Sequence, residues 1–174
     1  MRRPERSNRG ADRQFEVYET FARDLIRNHQ WGSAAKQIAR VLVPIDFSVC
    51  SMWALRYAEE MARRFGAEIV LVHVDQSLVL GSELAETRQA AARNELEGLV
   101  AFFGERDIPA RSVLRSGGPV EEIMATAEAE HVDLIVMGTH GRTGLTHVLM
   151  GSVAESVVRQ SSCPVLTVRH SARV

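Results

Sequence analysis

Two segments of this 174-residue chain carry residue types whose spacing could do chemistry. One runs Gly138-Thr139-His140-Gly141-Arg142-Thr143-Gly144 and continues to Gly151-Ser152; the other is Pro44-Ile45-Asp46-Phe47-Ser48. Glycine lets backbone N–H groups approach an anion with no Cβ in the way, and a helix start adds unsatisfied donors and a favourable dipole. Gly138 and Gly141 are expected to shape a turn, while Gly151, Ser152 and Val153 offer N–H groups and Ser152 adds its hydroxyl. Arg142, with His140 near it, would bring positive charge to the rim. Singly, each glycine could mark a tight turn and Ser152 a helix cap. As a set they read as a phosphate cradle. Asp46 can accept hydrogen bonds from a ribose or a base but would repel phosphate, so it belongs at the nucleoside end; the alternative is a local cap between strand and helix.

The elements that must hold these segments alternate cleanly from Arg40 onward. Apolar runs predict strands at Arg40–Ile45, Glu68–Val74, Ala110–Leu114, Asp133–Met137 and Pro164–Val168. Between them, helical spacing predicts Ser48–Phe65 with Leu55, Ala58, Ala62 and Phe65 inward, stopped by Gly66. A long helix over Ser82–Gly104 is expected to bury Leu84, Ala91, Leu96, Leu99 and Phe103. A third passes through Val120, Ile123, Met124 and Ala127, and a fourth spans Gly151–Ser161. Near-continuous Val, Ile and Leu runs are what a parallel sheet covered on both faces requires. The fold class is therefore α/β, a Rossmann-like, doubly wound, five-stranded parallel sheet with right-handed crossovers. In such sheets ligands bind outside the carboxyl ends of the strands, where strand order reverses. If the first and fourth strands are neighbours there, both chemical segments line one crevice.

Composition narrows the classes further. The chain is 45% hydrophobic and 25% charged, the balance of an ordinary globular protein. A net charge of −1 and a pI near 6.6 provide no global field for nucleic acid or an anionic membrane. No apolar run approaches a membrane span, and the Arg-rich start has no apolar segment after it, so a cytoplasmic location is expected. Residues 1–37 form an extension in which Phe15, Tyr18, Phe21, Ala22, Leu25 and Ile26 make one stripe of an amphipathic helix over 13–29, with Asp12 as its N-cap. The core domain is expected over 38–170, with a short tail at 171–174. Cys50 and Cys163 fall at opposite sheet edges, about 20 Å apart, too far for a disulfide. His73 reads as a core histidine, and His140 and His147 lack a partner at metal spacing.

The spacing Gly138-x2-Gly141-x9-Gly151-Ser152 matches the G-x2-G-x9-G-[ST] pattern of the ATP-binding branch of the universal stress protein family. VLVPIDFS at 41–48, IVLVHV at 69–74, DLIVMGTHGRTGL at 133–145 and SSCPVLTVR at 161–169 resemble that family as well. The resemblance implies a sheet ordered 3-2-1-4-5 and a nucleotide in the crevice. Pro44, Ile45, Asp46 and Val74 would contact adenine and ribose, with Met137 and Gly138 beside the ribose. Gly141, Gly151, Ser152 and Val153 would hold the phosphates, and ATP could carry Mg²⁺ in with it. Ala154 stands where a hydroxyl residue could donate to phosphate, so one contact is missing. Residues 1–37 have no counterpart in the resemblance.

Three functions compete: a nucleotide-responsive regulatory protein, a slow ATP-hydrolysing enzyme, and an interaction module with an empty pocket. Neither a Walker motif G-x4-G-K-[ST] nor a paired base and nucleophile is present, which disfavours the enzyme. The complete glycine pattern disfavours the empty module. ATP-binding regulation is the expectation. In the implied strand order Pro164–Val168 is a sheet edge protected only by Pro164, so a homodimer pairing these edges is expected, with a further protein partner open. The helix at 13–29 would either reinforce that interface or cover the edge.

Overall fold

A computed structural model of the chain describes residues 37–76, 83–141 and 150–169. The readings placed on the helix at 13–29, on Arg142 and His147, and on the tail at 171–174 lie outside the described residues. The unit containing those described begins at Gln37.

Strands and helices alternate as β1 (Arg40–Pro44), α1 (Val49–Phe65), β2 (Glu68–Asp75), α2 (Glu83–Gly104), β3 (Ala110–Ser116), α3 (Pro119–Ala129), β4 (Leu134–Gly138), α4 (Ser152–Gln160) and β5 (Val165–Val168). The sheet is parallel throughout in the order β3-β2-β1-β4-β5, as expected. The chain winds outward from β1 in one direction and then from β4 in the other, so the carboxyl ends of β1 and β4 flank the switch point.

Strand alternation sends side chains to two apolar layers. Val41, Val43, Ile69, Leu71 and Val136 face α1 and α2, which bury Ala54, Leu55, Ala58, Leu96 and Phe103 there. Leu42, Val70, Val72, Ile135 and Met137 face α3 and α4, which bring Ile123, Ala127, Ala154 and Val157. Small residues at 54, 58 and 62 let α1 lie close on the sheet. Its ends are well defined: the Ser48 side chain accepts from the Ser51 N–H, and Gly66 closes the helix at φ 66°. Arg63 and Arg64 lie in its last turn, where the dipole favours cations.

Three inward positions differ from expectation. Phe65 is 44% exposed and Leu84 64% exposed, and Ala91 is exposed too. The buried stripe of α2 is instead Ala85, Ala92, Leu96 and Phe103. Its amino-terminal half faces the core with alanines, so the bulkiest residue there did not mark the inner face. Cys50 and Cys163 are both free thiols, as their positions required. Among the described residues, no helix is long and apolar enough to cross a membrane.

The amino-terminal ends of the strands are tied by charge. The Asp133 carboxylate accepts from the Ala39 and Arg40 N–H groups at 2.9 and 3.1 Å. Arg40 donates to the Glu130 carbonyl at 2.9 Å. Arg111 bonds the Glu68 carboxylate through Nε at 3.0 Å and the Glu130 carboxylate through Nη2. The bond from Arg111 holds the Glu130 carboxyl below its ordinary range, and the same bond raises Arg111. A depressed carboxyl stabilises the fold fully above its unfolded pKa of about 4.3, and that contribution is lost as pH falls through the folded value. The raised Arg111 remains charged throughout the working range. Both groups are partly solvated, so the pair contributes at most about 1 kcal/mol. Glu130→Gln should therefore lower the thermal midpoint by about 2–4 °C at pH 7. Melts repeated at falling pH should show the difference between the two proteins closing below about pH 4; a constant difference would refute the assignment.

Candidate functional site

The crevice begins where β1 stops. Ile45 is 3% exposed, and its N–H still bonds the Val72 carbonyl at 2.8 Å. Asp46 then turns the chain: its Oδ1 accepts from the Ser48 N–H at 3.0 Å, so the local capping role is real. Phe47 sits between them at φ 61°, a left-handed conformation uncommon for a bulky residue. Ser48 caps α1, and the Ser51 hydroxyl donates to the Ser48 carbonyl at 2.9 Å. The reversal from strand to helix is thus held by bonds within six residues.

The opposite wall is the exit of β4. A Cβ on Gly138 would lie 2.9 Å from both the carbonyl carbon and the Cβ of Cys50 in the first turn of α1. The missing side chain at Gly138 is therefore needed for helix–strand contact, a different reason from the turn expected. Thr139 continues the edge: its N–H bonds the Val168 carbonyl at 2.9 Å, and its hydroxyl shares a 3.0 Å hydrogen bond with His140 Nδ1. The Thr139 carbonyl accepts the Gly151 N–H at 2.7 Å, pinning the start of α4 to the end of β4. Gly141 is exposed, and a Cβ there would stand 2.8 Å from Asp46 Oδ2. The two chemical segments therefore meet, with Gly141 on one side and the Asp46 carboxylate on the other.

Helix α4 starts at Ser152 with Gly151 as N-cap and with no side chain capping it. Its first intrahelical bond is Glu155 N–H to the Gly151 carbonyl at 2.9 Å, so the N–H groups of Ser152, Val153 and Ala154 precede the ladder and have no acceptor within it. Gly151 differs from expectation, because its own N–H is committed to Thr139. The available donors are shifted one residue onward, to 152–154. The other glycine-capped helix on this edge makes a contrast. At α3, carboxylate oxygens of Glu122 and Glu121 occupy the space beside Gly117 and Gly118, 3.1 and 2.2 Å from where their Cβ atoms would be. In α4 the one acidic residue of the first turn, Glu155, pairs with Arg159 at 2.9 Å. Neither start has a side-chain cap bond, but the start of α3 has two carboxylates of its own first turn beside it, whereas among the described residues the space beside Gly151 meets only backbone of Thr139 and His140, an arrangement that suits an anion.

The expected nucleoside contacts divide between the two layers. Ile45 faces the α1–α2 side, whereas Met137, 4% exposed, and the part-buried Val74 and Val153 pack on the α3–α4 side. Ile45 and Met137 are core residues, so only their main chain could meet a ligand. Pro44 is part-buried at the last position of β1. Sequence reasoning missed Thr139, whose backbone links β4, β5 and α4, and missed the left-handed Phe47. The histidine read as a satisfied core residue, His73, bonds the Ile45 carbonyl through Nδ1 at 2.7 Å.

A family model described as the universal stress protein family matches residues 37–169. Universal stress protein MJ0577 of Methanocaldococcus jannaschii is 32% identical over 152 residues, covering 75% of this chain and 94% of that protein. The solved structure of MJ0577 aligns with a TM-score of 0.72, covering 78% of this chain and 98% of that one. A universal stress protein from Archaeoglobus fulgidus solved in complex with dAMP shares the fold at 21% identity, with a TM-score of 0.59, covering 76% of this chain and 98% of that one.

The two loop glycines should separate in a stability measurement. Gly138→Ala forces backbone atoms of Cys50 to move and should cost about 1–3 kcal/mol in urea unfolding. Gly141→Ala meets only the end of the Asp46 side chain and should change stability far less. Equal losses for the two variants would show that the contact at Gly138 is not what it appears in the packing.

Proposed function

The chain belongs to the universal stress protein family, and from that premise we propose that it is an ATP-binding regulatory protein whose crevice between the β1 and β4 exits holds the nucleotide. The observation that carries this reading is the open start of α4. Three N–H donors lie at this helix start, beside Thr139 and His140, and no carboxylate stands next to Gly151 among the described residues, whereas Glu121 and Glu122 stand next to the glycines at the start of α3. Phosphates belong at Ser152 and Val153, with Gly151 fixing the helix start, and Gly141, whose Cβ position lies 2.8 Å from Asp46 Oδ2, marks where the ribose gives way to the phosphates. The Asp46 carboxylate keeps that end for the ribose or base, because a phosphate beside it would be repelled. Pro44, Ile45, Val74, Met137 and Gly138 complete the nucleoside wall, mainly through main chain. Among the described residues no group of three or more His, Cys, Asp or Glu could hold a metal, so Mg²⁺ would arrive on the ATP phosphates.

Occupancy would report ATP level to a partner, and the assembly proposed for that role is a homodimer. Among the described residues β5 has β4 on one side only, and Val165, Leu166 and Thr167 are part-buried. Two such edges can pair antiparallel across a two-fold axis.

Titration calorimetry with Mg-ATP tests the ligand. Wild type should bind, Gly141→Val should lose at least tenfold by placing a branched side chain against Asp46, and Ser152→Ala should lose about two- to tenfold, the worth of one hydrogen bond. Equal affinity in wild type and Gly141→Val would overturn the site. Sedimentation velocity tests the assembly: a two-fold species is expected, and Leu166→Lys on the edge strand should shift it to monomer. A wild-type protein that sediments as a monomer at all concentrations would overturn edge pairing.

A further inference from the structure

The hydrogen bonding of β2 shows how the nucleoside end of the crevice is kept open. Main-chain groups of a parallel strand bond alternately to the neighbours on either side. Odd-numbered residues of β2 address β3: the Ile69 N–H bonds the Pro109 carbonyl at 2.8 Å, and the Asp75 carbonyl accepts from Gly117 at 3.1 Å. Even-numbered residues address β1: the Glu68 N–H bonds the Ala39 carbonyl at 2.9 Å, and the Val72 carbonyl accepts from Ile45 at 2.8 Å. The next rung of that ladder would be the Val74 N–H to the Ile45 carbonyl. It is replaced. The Ile45 carbonyl accepts from the His73 side chain instead, at 2.7 Å.

A carbonyl oxygen only accepts, so Nδ1 of His73 carries the hydrogen. The imidazole is braced by Phe47, whose ring centroid lies 4.8 Å away at an interplanar angle of 38°. That contact also helps hold Phe47 in its left-handed conformation, one residue beyond Asp46. The side chain of His73 therefore ends the β1–β2 ladder one rung early. Beyond that point β1 turns away through Asp46 and Phe47, and both main-chain groups of Val74 face the side β1 has left.

We infer that His73 is a positioning residue of the crevice: by taking the Ile45 carbonyl it releases the Val74 N–H to address the edge of a nucleotide base, beside the Val74 C=O that the turn of β1 through Asp46 and Phe47 leaves on the same side. One donor and one acceptor on the same residue of a strand suit the neighbouring acceptor and donor on the edge of a purine. This inference deepens the nucleotide reading of the same site and rests on it. It gives His73 a role without contact to the ligand, and it explains why the histidine stands among apolar neighbours at the end of β2.

Three substitutions separate the donor from the ring. Asn places an N–H where Nδ1 stood; Phe keeps a ring and removes the donor; Leu removes both. In His73→Phe and His73→Leu the Ile45 carbonyl is free to take the Val74 N–H, and the ladder gains its missing rung. Amide hydrogen exchange on the full chain without nucleotide reads this directly. The Val74 amide should exchange fast in wild type and in His73→Asn, and should be protected in His73→Phe and His73→Leu. Calorimetry then compares Mg-ATP with inorganic tripolyphosphate, which has no base. ATP affinity should fall about tenfold in the Phe and Leu variants and recover in Asn, whereas tripolyphosphate affinity should be unchanged in all. Thermal melts identify any variant that fails to fold, and the Asn variant then carries the comparison with wild type. Slow exchange at Val74 in wild type would overturn the inference. So would equal ATP affinity in Asn and Phe variants, or a parallel loss of tripolyphosphate binding. A wild type that binds tripolyphosphate and ATP equally would also overturn it while leaving the phosphate site intact. A wild type that binds neither defeats the nucleotide reading itself, and the role of His73 with it.

Discussion

The site depends on one contact in which a side chain is missing. Gly138 meets the main chain of Cys50 at a distance no Cβ would tolerate, and this brings the last residue of β4 against the first turn of α1. Both walls of the crevice hang from those two elements. Asp46 and Phe47 belong to the turn that leads into α1; Thr139, His140 and Gly141 follow directly from β4. A helix held further from the sheet would carry Asp46 away from Gly141 and open the crevice into a shallow groove. The alanines at 54, 58 and 62 extend the same close approach along the length of α1. The width of the crevice is thus set by small residues in the core and at its rim, before any polar group contributes.

The two ends of the sheet are held in different ways. At the amino ends, Arg40, Glu68, Arg111, Glu130 and Asp133 tie β1, β2, β3 and the connection from α3 to β4 together through ion pairs and side-chain bonds to main chain. Each member has a partner, so this end is stabilised without offering anything to a ligand. The carboxyl end is held by single bonds, each from a backbone group to a cap or to a neighbouring strand. Gly151 to Thr139, Thr139 to Val168 and Ile45 to Val72 fix the outline. The first turn of α4 and the Val74 main chain lie outside that set. The first end is closed by paired side chains, and the second keeps main-chain donors at its rim.

Much of this was legible in the sequence, for reasons that differ by feature. The strands were legible because a sheet covered on both faces demands unbroken Val, Ile and Leu, and the helices between them because Ser48 and Gly66 are conformational stop signs. The glycines of the crevice were legible as a set, through their spacing, but the reason for each was not. Gly138 is short of space because of a helix ninety residues earlier in the chain, and a sequence does not display such a contact. Gly151 read as a donor, but its N–H is taken by a carbonyl twelve residues before it. The face of α2 was misread where alanines face the core, since periodicity weights bulk and alanine has little. His73 shows the sharpest limit. Its type and apolar setting correctly suggested a satisfied histidine, yet the acceptor that satisfies it is a main-chain group on another strand, visible only once β1 and β2 are paired.

Glu121 and Glu122, which lie over the two glycines at the start of α3, bear on how readily such a protein could change its ligand. The scaffold presents two glycine-capped helix starts on one sheet edge, and the backbone at both is suited to an anion. What distinguishes them is two carboxylates, a property of side chains alone. A pair of amide replacements would leave strands, turns and helix caps as they are and give the same rim a second start that favours an anion. The fold is therefore conservative and its charge pattern is not: new ligand geometries lie a few substitutions away, with no rearrangement of the chain between them.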